Sequence, residues 1–214
     1  MTPAERETLE AGARWFDVEL LAEATDRIAR FLALLGVWNR RIRLIAETDR
    51  EAVIAKHVVD SLALVPFLPG SGTVVDIGSG AGFPGIVLGS VRPDLRLVLI
   101  ESRRRRASFL RESIRTIPLP AATALELRAE AAAETELAGT AALVVARAVR
   151  LDAFLPLAAP LIRPGGKVLA MQTPRTAGAA SRTASASGLR LSQRQDYTLP
   201  GGAPRTLLTF EHVS

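Results

Sequence analysis

This 214-residue sequence predicts an α/β fold: a doubly wound, mostly parallel seven-stranded sheet that ends in an antiparallel hairpin and is preceded by a helical extension. Three observations carry that expectation. Short apolar runs alternate with helical periodicities between Thr73 and Met171. A glycine-rich turn, within "VVDIGSGAGFPG" (Val74–Gly85), follows the first run. The last two strand-like runs are joined by PGGAP, a turn too short to hold a crossover helix.

The elements follow in order. Val18 to Trp38 carries apolar residues at Leu20, Leu21, Ile28, Phe31, Leu32, Leu34 and Leu35, a helical spacing. A second helical stretch spans Thr48 to Phe67, with Thr48 and Glu51 placed to form a capping box. Leu68–Gly72 breaks that pattern. Strands are expected at Thr73–Ile77, Arg96–Ile100, Ala122–Leu127, Ala141–Val145 and Lys167–Met171. Helices fall between them at Phe83–Val91, Arg103–Ile117, Ala129–Leu137 and Leu151–Ile162. A polar helical or loop stretch, Arg175 to Gly188, precedes the hairpin strands Leu189–Leu199 and Arg205–Glu211. Thr176–Ser187 is the one low-complexity segment. The division is therefore residues 1–70, a helical extension, and residues 71–214, a ligand-binding domain, packed as one compact unit.

Composition narrows the chemistry. The absence of cysteine removes disulfides, cysteine-based zinc sites and cysteine nucleophiles. No metal site is expected, because His57 and His212 are the only histidines and lack ligand-like spacing. The net charge is +5, and every cation except Lys56 and Lys167 is an arginine. That bias has two readings: a GC-rich genome, or bidentate phosphate recognition. No apolar run reaches membrane-spanning length, and MTPAERETLEAG lacks the apolar core of a signal peptide, so a cytoplasmic protein without membrane attachment is expected.

The glycine turn contains a literal G-x-G-x-x-G at Gly80–Gly85, the spacing of a dinucleotide-phosphate loop. A pyrophosphate there would draw on backbone N–H groups, but Asp76, at the end of the preceding strand, would repel it. S-adenosylmethionine (AdoMet) reverses that argument, because its ammonium and sulfonium are stabilised by nearby negative charge. Glu101, closing "LRLVLIES", is placed to accept from both ribose hydroxyls of either cofactor, or is an ordinary acid ending a strand. Ala129 and Glu130 follow the third strand, where an adenine would lie. A sheet that opens on such a turn and closes on a hairpin fits the Rossmann-like class I AdoMet-dependent methyltransferase plan better than the dehydrogenase plan.

Longer stretches carry a resemblance. "WNRRIRLIAE" (Trp38–Glu47), "KHVVDSL" (Lys56–Leu62), "VVDIGSGAGFPGIVL" (Val74–Leu88), "LIESRRRRASFLR" (Leu99–Arg111), "RAE" (Arg128–Glu130) and "ARAVRLDAFL" (Ala146–Leu155) together resemble the RsmG family, also called GidB: bacterial AdoMet-dependent 16S rRNA guanine-N7 methyltransferases. The resemblance implies that Gly78 and Phe83 line the methionine side of AdoMet, with Asp76, Gly80 and Glu101 in the same site. It implies that Ala129 and Glu130 contact the adenine region and that Arg147 lies beside the cofactor. From the residues alone, Arg147 reads as a surface cation, and only the resemblance places it at the cofactor. The implied partner is 16S rRNA, free or within a 30S subunit or assembly intermediate, acted on by a monomer.

Two positions depart from the family pattern. Arg43-Leu44-Ile45 stands where members commonly carry Asn-Leu-Thr, and Gln172 stands where they commonly carry a lysine near the transfer site. Guanine N7 exposes a lone pair on the major-groove edge, so its methylation requires no general base, and no catalytic residue is assigned. The chain lacks a D/N-P-P-Y/F motif for exocyclic amines. His57 and Asp60, one helical turn apart, read either as a bonded pair locking the helices to the sheet or as part of an active-site cover. Arg103, Arg104, Arg105 and Arg106 open a helix against its dipole. They read either as a solvated face or, with Arg40, Arg41 and Arg43, as rRNA phosphate contacts. An AdoMet-dependent small-molecule methyltransferase, an NAD(P)-dependent oxidoreductase and a catalytically silent RNA-associated protein are the other readings the residues leave open.

Overall fold

The protein is described by a computed structural model covering residues 1–178 and 180–213. Its sheet has seven strands in the order β3-β2-β1-β4-β5-β7-β6. They are β1 (Thr73–Ile77), β2 (Arg96–Glu101), β3 (Ala122–Glu126), β4 (Ala141–Arg147), β5 (Ile162–Gln172), β6 (Leu189–Thr198) and β7 (Pro204–His212). The first five pair in parallel, whereas β7 runs antiparallel to both β5 and β6. The terminal hairpin inserts β7 beside β5, so the dehydrogenase plan of a continuing parallel sheet does not apply.

Strand alternation divides the core in two. Val74, Leu97, Leu99, Leu143 and Val145 face one cluster, together with Leu9, Phe31, Leu62, Ile86 and Phe109 from the helices. Val75, Ile77, Val98, Ile100 and Val144 face the other, with Phe154, Leu155 and Ala184. A parallel sheet covered on both faces buries both sets of side chains, so its strands read as unbroken apolar runs. The helices of the first layer are α1 (Pro3–Trp15), α2 (Ala22–Ile42), α3 (Arg50–Val53), α4 (Val59–Leu62), α5 (Gly85–Val91) and α6 (Arg104–Thr116). The second layer holds α7 (Leu151–Ala158) and α8 (Ala180–Ala186). Helices of the 1–70 segment and of the sheet domain share the first cluster.

Several local expectations change. Helix α1 was not anticipated, although Thr2 and Glu5 form a true capping box around Pro3. The box expected at Thr48 and Glu51 is absent: Asp49 is the cap, accepting from the Ala52 N–H at 2.8 Å. The second helical stretch is continuous only through a π turn at Ile54–Val58 that joins α3 to α4. Residues 129–134 form a 3₁₀ helix where an α-helix was expected. Ala179, inside the polar stretch 175–188, and Ser214, the end of the expected domain, lie outside the described residues. Among those described, no helix is long and apolar enough to cross a membrane.

Candidate active site

The candidate residues gather at the carboxyl ends of β1, β2, β4 and β5, where ligands of doubly wound sheets bind. The glycine turn sits at the end of β1. Gly78, Gly80 and Gly82 hold φ values of +72°, +55° and +86°, the left-handed region that glycine enters without a Cβ clash. Gly78 N–H donates to Ile100 O at 2.9 Å, tying the turn to β2.

Asp76 shares the Val74 side of the sheet and is only 1% exposed. Its Oδ2 accepts from the Gly85 N–H at 3.0 Å, satisfying one of the unpaired donors at the start of α5. A Cβ on Gly85 would stand 2.6 Å from that oxygen, so the close approach requires glycine. Burial pushes the Asp76 carboxyl up to about 6, against the opposing pull of the Gly85 hydrogen bond. Glu101, at the end of β2, accepts from Gly80 N–H at 3.1 Å through Oε2 and from Arg103 N–H at 2.8 Å through Oε1. Ala129 and the exposed Glu130 follow Leu127, whose N–H donates to Glu101 O at 3.2 Å. The structure thus brings the third-strand segment beside Glu101.

A cavity of about 710 Å³ opens at the ends of β4 and β5. His57, Asp60, Arg147, Val149, Met171 and Gln172 are among its lining residues; Asp76, Gly80 and Glu101 are not. Two contacts connect it to the turn. The Arg147 guanidinium lies 5.3 Å from the Phe83 ring centre, and Val149 Cγ2 lies 3.9 Å from the place a Gly78 Cβ would take. Phe83 itself is 4% exposed, edge-on to Phe31 at 5.2 Å and stacked on His57 at 5.2 Å.

His57 and Asp60 are not bonded to each other; each is tied elsewhere. His57 lies in the π turn, with Glu47 Oε2 2.9 Å from Nε2 and Arg147 Nη2 3.1 Å from Nδ1. A guanidinium has no acceptor, so Nδ1 carries the lone pair and Nε2 carries the proton donated to Glu47. Burial, reinforced by the Arg147 charge, pushes His57 below its usual 6.5, while the His57 hydrogen bond holds Glu47 down at about 2. Asp60, 3% exposed, accepts from Tyr197 Oη at 2.9 Å and from Arg205 Nε at 3.4 Å, and lies 3.6 Å from Arg147 Nη1. Burial and the Asp60 charge push the Tyr197 hydroxyl upward. Gln172 Nε2 donates to Val149 O at 2.9 Å, so its amide braces the loop after β4.

Glu47, Tyr197, Arg205 and Val149 were missed as site residues. Glu47 and Val149 lay within quoted motifs, but nothing local marked Tyr197 or Arg205. The candidate RNA contacts lie outside the cavity. Arg40, Arg41 and Arg43 are exposed around the end of α2, and Arg103, Arg104 and Arg105 are exposed at the start of α6. Trp38 packs on Phe109 at 5.7 Å, joining those helices. Arg106 differs: it is half-buried, and its Nη1 lies 3.7 Å from where a Gly80 Cβ would stand. That position sets it beside the glycine turn.

The turn fits AdoMet. Left-handed glycines bring the backbone close to a ligand, and two buried carboxylates flank it, a setting suited to a cation and hostile to a pyrophosphate. Known proteins agree. The GidB profile, rRNA small subunit methyltransferase G, matches residues 24–198. The chain is 36% identical over 216 residues to ribosomal RNA small subunit methyltransferase G of Geobacter sp. (strain M21), across 98% of this chain and 99% of that protein. To the protein of the same name from Myxococcus xanthus (strain DK1622) it is 35% identical over 205 residues, across 94% of each. The solved structure of the mitomycin 7-O-methyltransferase MmcR matches at a TM-score of 0.61, with 18% identity, across 99% of this chain and 69% of that one. At that identity the likeness concerns the fold alone. The extent of the sequence match settles the family: the chain belongs to the GidB family, rRNA small subunit methyltransferase G.

Proposed function

We propose that the protein transfers a methyl group from AdoMet to N7 of a guanosine in 16S rRNA. The observation that carries this reading is the junction at Phe83 and Val149, where a cavity walled by Arg147, Met171 and Gln172 abuts the carboxylate-flanked turn. Bound at that turn, AdoMet would supply an activated methyl group. Asp76 and Glu101 would hold its cationic and ribose portions, with Ala129 and Glu130 on the adenine side. Arg147, fixed by His57 and Asp60, would aim its donors into the cavity and orient the base.

Guanine N7 attacks through a lone pair, so the side chains need only position the base, set the local field and exclude water. His57, neutral and already bonded on both nitrogens, serves that static role better than proton transfer. We place the reaction in the cytoplasm, on 16S rRNA or an assembling 30S particle, with residues 1–70 and 71–214 acting as one unit in a monomer. The test is transfer of labelled methyl from AdoMet to 16S rRNA, naked and in 30S particles, followed by nucleoside mass spectrometry. The expected product is 7-methylguanosine; its absence from both substrates would overturn the reading.

A further inference from the structure

Between Asp152 and Asp196 the chain contains no acidic residue, while Arg163, Lys167, Arg175, Arg182, Arg190 and Arg194 all fall in that interval. Lys167 and Arg190 share Glu211, and Arg194 meets Asp196. Arg163 lies near the start of β5, away from the site. Arg175 and Arg182 remain. Both are exposed, and neither has a carboxylate partner among the described residues.

These two arginines lie on the segment that leaves β5 at the active-site end. Thr173, Thr176 and Thr183 of the segment line the cavity, whose lining also includes Glu47, Lys56 and His57 from the 1–70 segment. Helix α8 is anchored by Ala180 and Ala184, 3% and 0% exposed, while Ser181, Arg182 and Ser185 are exposed. Local stability does not explain Arg182, since a cation in the first turn of a helix opposes its dipole. From Thr173 to Ser187 the only long side chains are Arg175 and Arg182, set among hydroxyls and small residues. That combination matches the chemistry of a phosphate backbone: guanidinium forks, hydroxyl donors and no repelling charge.

We infer that Thr173–Gly178 and Ala180–Ser187 form a second RNA-docking surface, with Arg175 and Arg182 holding phosphates on the β5 side of the cavity. Arg40, Arg41 and Arg43 would hold the strand on the side of the N-terminal helices, so the target nucleotide is presented between two anchored flanks. The inference rests on the proposed RNA substrate.

The test compares Arg175→Ala/Arg182→Ala with the intact protein in binding to 16S rRNA across a salt series and in methyl-transfer kinetics. Loss of two phosphate contacts should reduce the slope of log K against log salt by about 1.5 and raise KM for rRNA on the order of tenfold. Affinity for S-adenosylhomocysteine should stay unchanged. The Arg175→Lys/Arg182→Lys variant should retain most of the slope, and Arg163→Ala should behave as the intact protein. An unchanged slope and KM in the double alanine variant, with the intact protein active on rRNA, would overturn the surface alone. An intact protein that neither binds nor methylates 16S rRNA would overturn the functional reading and this surface with it.

Discussion

Arg147 donates a hydrogen bond to Nδ1 of His57, 3.1 Å away across 90 positions of sequence. The bond exists only while that nitrogen is unprotonated. Because burial lowers the His57 pKa below 6.5, the bond is intact at neutral pH. It breaks as pH falls through the lowered value, when imidazolium and guanidinium would face each other. Methyl transfer should therefore show an acid limb lying below pH 6.5. Glu47 raises the His57 pKa, so Glu47→Gln should move that limb to lower pH. His57→Ala should lower kcat about 10- to 100-fold, as for loss of a hydrogen bond to a charged group, with little change in cofactor affinity. A pH profile identical in Glu47→Gln and the intact enzyme would count against the arrangement.

The same lowered pKa has a stability sign. His57 favours the neutral form when folded, so its contribution is full above pH 6.5 and declines as pH falls toward the depressed value. Asp76 acts in the opposite direction. With its pKa raised from 3.8 to about 6, it favours the folded state below pH 3.8, and that contribution is lost as pH rises through about 6. Ligand binding reverses the preference, because a cationic cofactor needs the carboxylate ionised. Affinity for S-adenosylhomocysteine should rise by up to about tenfold per pH unit below 6 and level off above it. Asp76→Asn keeps an acceptor for Gly85 N–H and should flatten this dependence while weakening binding. Asp76→Ala is the poorer test, since it also leaves that buried N–H unpaired, at about 1–3 kcal/mol. Calorimetry from pH 5 to 8 decides the matter.

Arg43 caps α2 with a φ of +44°, and its N–H donates to Asn39 O at 3.1 Å. The left-handed region costs a residue with a Cβ about 1–2 kcal/mol, and asparagine tolerates it better than most. The departure from asparagine noted in the sequence therefore carries a backbone cost as well as a charge. Arg43→Gly should raise stability by about 1 kcal/mol, a Tm increase of about 2–4 °C. Thermal melts provide the reading, and an unchanged or lower Tm would show that the Arg43 side chain compensates for the strain.

What the sequence revealed depends on where each signal resides. Strand β1 was legible to the residue, because a strand buried on both faces is an uninterrupted apolar run between turn residues. The turn and its carboxylates were legible because they are contiguous in sequence with a strand end. The π turn was not, since its widened spacing is selected by packing and has no local composition signal. The Arg147–His57 and Asp60–Tyr197 contacts join segments far apart in sequence, so only the folded chain reveals them. His57 and Asp60 shared a predicted face, yet tertiary partners drew them to different ends of Arg147.

Two glycines of the turn separate conformational need from spatial need. A Cβ on Gly78 would meet nothing closer than Val149 Cγ2 at 3.9 Å, but its φ of +72° makes any side chain strained. Gly85 has no left-handed φ; instead its Cβ would stand 2.3 Å from Leu99 Cδ2 and 2.6 Å from Asp76 Oδ2. Gly78→Ala should thus cost about 1–2 kcal/mol of backbone strain. Gly85→Ala forces α5 away from β2 and from Asp76, a displacement costing about 1–3 kcal/mol or more. It also moves the carboxylate proposed to receive the cofactor, so S-adenosylhomocysteine affinity should fall at least about tenfold. Melting and ligand titration of both variants test this, with Gly85→Ala expected to melt lower. If Gly85→Ala melts and binds like the intact protein, the Asp76–Gly85 contact does not position the cofactor turn.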